Sequence, residues 1–574
     1  MSTRKTPSAP TTLDAPPRQQ AAGIGCALVV FAVTVVALAP SIQNEFISWD
    51  DDGNYQNNRV IRGLSPDHLV QMWRSTKLGV WQPLTWFFTA IEYRLFGRGD
   101  DARFSLGMHA VSILLHAAAA FVCFFVVRRL IELSSPRLAE RDRVAVNLGA
   151  LAAALLFGIH PMRAEVVAWA SGQPYVFGVL FALLCVWAYL RACEARSGRW
   201  RLAAVAFFAA SLLCKSMGVM LFAVLIVLDV YPLRRFAGEP GLRSRELRRA
   251  MLQKIPYLII ALAVTAAAMG ANAEVGDYRA EPSSVKILTA LYGLGFYASR
   301  TIVPAGMAPY YAAPDSLTWT QPAVVAQGAM FIALAIAAIA LRRRLPSLLA
   351  VLSVYVVILL PVLGVVQHGE QLAANRYAYL SCIAWAALVG GVIAHVWANA
   401  RRGGAVRTIC IVFMASAVVG LGAMTMRASR VWRNSISFWS TVVETNADCD
   451  ICHYGLAQAY EATGDAPMAI ERYRRATELS PNYPEANINL GILLMSRGDF
   501  EGAEASYRAA LRGRPGDYRA HMNFAHLCVL RGELDAAADH LRRAADDAAR
   551  RNRQDMLREI ERRLSDVERI RRGG

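Results

Sequence analysis

The amino-acid sequence predicts an all-α protein, a polytopic bundle of membrane helices followed by an α-solenoid of short repeats. Three observations predict it. First, 55% of the 574 residues are hydrophobic and mean hydropathy is +0.31, against the roughly 45–50% apolar share of soluble domains. Second, the excess is concentrated in runs such as 255–270, 323–341 and 408–424, each near the roughly 20 residues that cross a bilayer. Third, a 34-residue period appears from Asp450 onward.

The net charge of +17 does not read as a nucleic-acid surface. Arginines cluster at the ends of apolar runs (Arg128-Arg129, Arg234-Arg235, Arg342 to Arg344, Arg401-Arg402). That placement follows the positive-inside rule rather than a phosphate-binding stripe. The partners expected are the lipid bilayer and no nucleic acid.

Hydropathy and loop arginines together give a topology of about eleven spans. Residues 1–22 form a polar, disordered cytoplasmic tail, and 24–39 an uncleaved signal anchor despite the Ala37-Leu38-Ala39 string. Residues 42–105 make the first external loop, which carries Glu45, Asp50, Asp51, Asp52, Asp67, Asp100 and Asp101. The stretch 202–231 is too long for one span and contains Lys215, so two helices meeting near Lys215 at the outer face are expected. Residues 285–303 are only moderately apolar and hold Arg300; they read as an interfacial or re-entrant helix. A last span, 406–426, delivers the chain outside. The membrane domain is thus 23–426, followed by a linker over 427–449.

The repeats begin at Asp450. Leu456, Leu490 and Phe524 are spaced by 34, as are Ala469, Ala503 and Ala537, then Tyr473, Tyr507 and Leu541, then Ala476, Ala510 and Ala544. Pro481 and Pro515 close the first two units. Small residues at helix contacts and proline at the boundary make this a tetratricopeptide pattern. The domain is 450–574, with 547–572 as a solvated capping helix. Such repeats commonly hold a peptide or partner. Most of the ten cysteines sit in apolar runs as small hydrophobes; Cys449 and Cys452 suit a local disulfide if that domain lies in an oxidising compartment.

Chemistry concentrates at the outer ends of the spans. Asp50-Asp51-Asp52 follow Trp49 in the first loop. Three adjacent carboxylates raise a pKa or recruit a cation or basic partner, although Asp-Asp-Gly is also a surface-turn signal. His160-Pro161-Met162-Arg163-Ala164-Glu165 ends the third span. Lys215, one of five lysines, interrupts an apolar stretch, where ionisable groups are costly and functional by default. Arg376 and Tyr377 follow the ninth span. Carboxylates and cations on one face suit a phosphate-linked donor and an acceptor hydroxyl needing a general base. Neither a Walker loop, nor His-Glu-x-x-His, nor Gly-x-Ser-x-Gly occurs.

Phe46-x-x-x-Asp50-Asp51 with Asn58, Trp81-Gln82-Pro83-Leu84-Thr85, Phe96-Gly97 and His109 with His116 resemble the GT-C superfamily. So do Phe157-Gly158-Ile159-His160-Pro161 through Glu165, Val167-Ala168-Trp169, Leu213-Cys214-Lys215, Leu228-Asp229 and Arg376-Tyr377. More narrowly, with the C-terminal repeats, the chain is similar to the transmembrane and tetratricopeptide repeat O-mannosyltransferase-like proteins and their bacterial relatives. The resemblance implies a GT-C-like fold and an inverting transfer from a polyprenyl-phosphate-linked sugar to a protein Ser or Thr hydroxyl. It also implies a bacterial inner membrane, with site and repeats on the periplasmic side. Asp50 and Asp51 match the family's acidic pair, one of them the base, and are the ligands on offer should a divalent metal take part. Lys215 and Arg376 match the basic residues that hold the lipid phosphate; Arg163, His160, Glu165 and Tyr377 complete the donor-binding set. Asp52, Asn58, His109 and Trp81 belong to the acceptor side or support the site. The repeats would recruit the acceptor protein or peptide. Three departures stand out: Ser216 follows the lysine where the family has an acid, Ser112 replaces an Asn between the histidines, and Asp52 is an extra acid. Two rival readings are a non-catalytic membrane scaffold with partner-binding repeats, and a transporter or flippase for a lipid-linked sugar.

Overall fold

The computed structural model describes residues 17–236, 245–273, 282–312, 318–364, 371–401 and 404–573. They form two units, Met1–Asn434 and Ser435–Gly574. Both are helical, apart from a two-stranded antiparallel ladder that pairs Tyr311 with Ala373.

Among the described residues of the first unit, seven helices are long and apolar enough to cross a membrane. Three shorter apolar helices, Arg143–Ile159, Ser216–Val230 and Pro346–Val362, accompany them. The first helix starts at Pro17, so 17–22 are helical rather than part of a disordered tail; 1–16 lie outside the described residues. The expected external loop 42–105 is not loose either. It holds short helices including Pro66–Arg74 and Pro83–Glu92, and the 34-residue helix Asp101–Ser134 begins inside it, capped by Asp100 accepting from the Arg103 amide at 3.0 Å.

The 202–231 stretch divides near Lys215. Gly198–Cys214 and Leu221–Val230 are separate helices joined by a tight turn over Ser216–Met220. Lys215 itself is extended, at φ −158° and ψ 123°. Residues 285–302 lie in one uninterrupted helix, Ser283–Ile302, and it is not among the seven.

Small residues let these helices approach. A Cβ on Gly149 would meet the Gly390 carbonyl oxygen at 2.3 Å, and one on Gly390 would meet that of Gly149 at 2.4 Å. Close backbone contact of this kind replaces the hydrophobic drive that is missing between helices in lipid. Three arginines of the basic clusters of the sequence, Arg128, Arg129 and Arg235, are ion-paired at the bundle end reached by Ser134, Ala195 and Val230. Arg129 bonds Glu132 at 2.9 Å and also Glu194, and Arg128 bonds Glu132 at 3.2 Å. Asp229, fully buried, takes Lys254 at 2.6 Å, Arg235 at 3.1 Å and the Tyr189 hydroxyl at 2.5 Å.

The second unit consists of tetratricopeptide-type helix pairs: Asp450–Ala462 with Ala466–Leu479, Pro484–Ser496 with Phe500–Gly513, and Tyr518–Leu530 with Leu534–Arg550. Gly464, Gly498 and Gly532 turn the corner of each pair at φ of 79°, 80° and 77°, a left-handed conformation that glycine alone adopts without strain. Ala469, Ala503 and Ala537 are fully buried where the paired helices touch. Two boundaries differ from expectation. The 427–449 linker is largely helical, since one helix runs on to Val431 and Ser435–Thr445 is another. Phe438, Trp439 and Val442 are buried there, and the Trp439 ring covers Gly455 of the first repeat. The chain also breaks within 547–572: Leu534–Arg550 ends a repeat, and Gln554–Gly573 is the cap, burying Ile560 and Val567. Cys449 and Cys452 form a disulfide.

Candidate active site

The acidic turn is held by its second carboxylate. Asp51 is fully buried. It accepts from the Ile47 amide at 2.9 Å, the Ser171 amide at 2.9 Å and the Ser171 hydroxyl at 2.5 Å. Ser171 belongs to the turn Ala170–Gly172, just before the helix Gln173–Ala195. Tyr55 donates to the Ala170 carbonyl at 3.0 Å and Asn54 to Ser171 Oγ at 3.0 Å, so the first loop is stapled to a segment 120 positions away. Burial raises the Asp51 carboxyl to about 7, against the lowering influence of the Ile47 and Ser171 donors.

Asp50, one residue earlier, is half-buried. Burial raises its carboxyl above the ordinary range; Arg376 and then Lys215 draw it back down, and Asp52 adds a raising contribution. Asp50 therefore shares a field with two cations from distant parts of the chain. Asp52 is exposed.

Arg376 is the most constrained of those cations. Its Nη1 donates to Glu165 Oε1 at 2.6 Å, while the Asn375 amide donates to Glu165 Oε2 at 2.9 Å. Glu165 is 1% exposed, and burial raises its carboxyl against the pull of Arg376. The guanidinium lies 4.9 Å from the Tyr377 ring, 5.5 Å from Trp169 and 5.9 Å from Trp49, and it hydrogen-bonds Tyr175. Trp49 and Trp169 stack at 5.0 Å, and Trp169 stacks on Trp432 at 5.6 Å. The short ladder fixes the preceding backbone: Tyr311 donates to Asn375 Oδ1 at 3.1 Å, and Asn375 Nδ2 to the Ala308 carbonyl at 3.0 Å.

Lys215 projects from the break between its two helices. Its Nζ lies 4.8 Å from the Tyr175 ring centroid, and Arg376, Tyr377 and Asp50 are its electrostatic neighbours. Asp50, Lys215, Arg376, Tyr377 and Glu165 are thus brought together.

Two members of the expected donor-binding set are not part of this cluster. Arg163 is 1% exposed, its guanidinium 5.4 Å from both the Phe157 and Tyr379 rings and bonded to the Phe157 carbonyl and Cys382 Sγ. Aromatic and backbone groups surround it, and its Nη1 is buried without a hydrogen-bond partner among the described residues. His160 accepts from the Met162 amide at 3.3 Å through Nδ1 and donates from Nε2 to the Thr301 carbonyl at 3.2 Å; it ties the end of Arg143–Ile159 to Ser283–Ile302. Two of the acceptor-side candidates also have local partners. Asn58 caps the Arg59–Arg62 turn through the Val60 amide at 3.0 Å. Trp81 donates to the Trp73 carbonyl at 2.8 Å. His109 is fully buried against the Val167 backbone.

Tyr175, Ser171 and Asn375 were not singled out in the sequence. A tyrosine at the start of an apolar helix, or a serine in a turn, carries no pattern; only contact with a charged partner gives either one a role. Among the described residues no group of three or more His, Cys, Asp or Glu side chains comes together that could hold a metal ion.

A carboxylate facing two cations beside stacked indoles is suited to binding a phosphate ester and taking a proton near it. Sequence comparison bears on which one. Residues 457–496 and 488–552 match tetratricopeptide-repeat families. Protein O-mannosyl-transferase TMTC4 of Homo sapiens is 28% identical over 36% of this chain and 30% of its own length. Protein O-mannosyl-transferase F38B6.6 of Caenorhabditis elegans is 21% identical over 81% of this chain and 64% of its own. The chain resembles the protein O-mannosyl-transferases. Its alignments span about a third of the human protein and under two thirds of the nematode one. Among solved structures, the apo oligosaccharyltransferase of Archaeoglobus fulgidus aligns over 70% of this chain and 56% of its own at 15% identity, with a TM-score of 0.37, too low to establish a shared fold.

Proposed function

We propose that this protein is an inverting membrane glycosyltransferase of the GT-C type. It moves a sugar from a polyprenyl-phosphate-linked donor to a Ser or Thr hydroxyl of a protein, on the periplasmic face of a bacterial inner membrane. The observation that carries the reading is the shared field of Asp50, Arg376 and Lys215. The O-mannosyl-transferase relatives supply the reaction class.

In this mechanism the donor phosphate rests on Arg376 and Lys215, with Tyr377 alongside. Asp50 takes the proton of the acceptor hydroxyl as its oxygen attacks the anomeric carbon. The bond from that carbon to the phosphate oxygen breaks, and the two cations neutralise the charge left on the departing lipid phosphate. Glu165 positions Arg376 without touching the donor. Asp51 holds the loop, and Asp50 is the base.

Periplasmic repeats are supported by the Cys449–Cys452 disulfide, since such bonds persist in oxidising compartments. The repeats then present the acceptor polypeptide to the membrane site. The test compares glycopeptides from cells carrying the intact gene, a deletion, or Asp50→Asn. Loss of the same glycopeptides in the deletion and in Asp50→Asn is expected. Full rescue of glycosylation by Asp50→Asn would overturn the assignment.

A further inference from the structure

A cavity lies in the first unit, away from the charged cluster. It has a volume of about 690 Å³, within the range of cavities that bind small organic molecules. Its walls come from Asp101–Ser134, Gln173–Ala195, Leu221–Val230, Pro346–Leu359 and Cys382–Asn399, and they are almost wholly aliphatic. The lined stretch from Ile383 to Val396 covers roughly 20 Å of helix at 1.5 Å per residue. That is close to the roughly 15 Å hydrocarbon depth of one bilayer leaflet.

The two ends of this groove differ. Leu221 and Leu380, at one end, follow Lys215 and Arg376 in the chain; the other end is rimmed by Arg234, Arg344 and His395. All three rim residues are exposed, and among the described residues no Asp or Glu lines the groove. Of the described acids beside it in sequence, Glu132 is paired with Arg128 and Arg129, and Asp229 with Lys254 and Arg235. Among the described residues, no carboxylate lining the groove offsets the rim charge. Ser135, which also lines it, bonds His395 at 3.3 Å.

We infer that this groove binds an anionic phospholipid of the leaflet opposite the charged cluster, its acyl chain between the helices and its phosphate on Arg234 and Arg344. An aliphatic slot one leaflet deep selects an acyl chain, and a rim of cations without carboxylates selects a negative headgroup. The site is separate from the proposed reaction centre, which lies beyond the groove's other end.

The full chain, purified and exchanged into phosphatidylcholine nanodiscs containing phosphatidylglycerol, tests this by native mass spectrometry of retained lipid. Arg234→Gln with Arg344→Gln should lower phosphatidylglycerol retention roughly thirtyfold, as expected for two headgroup cations. Arg342→Gln with Arg343→Gln, on the adjoining turn but not in the groove, should leave it unchanged. Filling the slot with Ala387→Trp should abolish retention. Equal retention of phosphatidylcholine and phosphatidylglycerol by the unaltered chain would overturn the inference, as would undiminished binding in the Arg234/Arg344 variant. If Ala387→Trp blocked use of a polyprenyl-phosphate donor while phosphatidylglycerol stayed bound, the groove would belong to the donor's tail and the inference would also fail.

Discussion

Glu165 Oε1 and Arg376 Nη1 lie 2.6 Å apart, joining residues separated by 211 positions. The pair is buried, and the same carboxylate takes the Asn375 amide. Glu165 therefore sets both the charge partner and the backbone of the turn that carries Arg376. Glu165→Ala removes one member of a buried pair, which typically costs about 3–5 kcal/mol. A lower unfolding temperature in detergent is expected, together with a raised donor KM. Glu165→Gln, which keeps the shape but not the charge, should restore only part of the stability and not the KM.

Asp50 and Asp51 are adjacent, yet their environments predict opposite phenotypes. Asp50→Asn should lower transfer by about 10²–10⁴-fold while leaving thermal unfolding unchanged. Asp51→Ala leaves the Ile47 and Ser171 donors unpaired, at about 1–3 kcal/mol for each buried group, so unfolding should shift first. A stable but inactive Asp51→Ala would reverse the two assignments.

The pH profile follows from the Asp50 environment. A base acts when ionised, and burial raises the Asp50 carboxyl above its usual range while Lys215 lowers it. The acid limb of kcat/KM should therefore lie above that of an ordinary Asp, about 3.9. Lys215→Met removes a lowering charge, so the limb should move to still higher pH, apart from any loss of rate. An unmoved limb would separate Asp50 from Lys215.

Helix contact through Gly149 and Gly390 has no room for a side chain. Gly390→Leu should prevent the Arg143–Ile159 and Cys382–Asn399 helices from packing and should lower the yield of folded protein in membranes. Gly391→Ala, where a Cβ meets nothing within 4 Å, should be tolerated.

In the repeats, Asp517 bonds Arg514 at 2.9 Å and Arg519 at 3.0 Å. Burial alone would raise its carboxyl; Arg519 and Arg514 hold it down at about 2. A depressed carboxylate stabilises the fold at pH above its unfolded value, about 3.9, and that contribution is lost as pH falls toward 2. Amide exchange in the Tyr518–Leu530 helix should accelerate across that window in the full chain. Asp517→Asn should remove the acid-dependent part.

Much of the candidate site was legible because lone charges in apolar surroundings are conspicuous. Lys215 and Arg376 stand out in this way, and both join the cluster. Arg163 and His160 carry the same signal and do not join it: Arg163 lies against the Phe157 and Tyr379 rings, and His160 bonds the Thr301 carbonyl. A string of residue types cannot distinguish a cation facing a ligand from one facing a ring. Asp51 illustrates the same limit, since its three donors come from Ile47 and from Ser171.

The amino-acid order alone determined the helical membrane unit, the repeats and the break near Lys215. Those features depend on local hydropathy, on a 34-residue period and on residues close in sequence. The tertiary structure decided which charges meet, that Asp50 rather than Asp51 is the one facing Lys215 and Arg376, and where the 427–449 segment becomes helix. Such choices depend on contacts between separate segments, those of the charged cluster more than a hundred positions apart, and on which polar groups burial leaves to be satisfied, neither of which is written in local spacing.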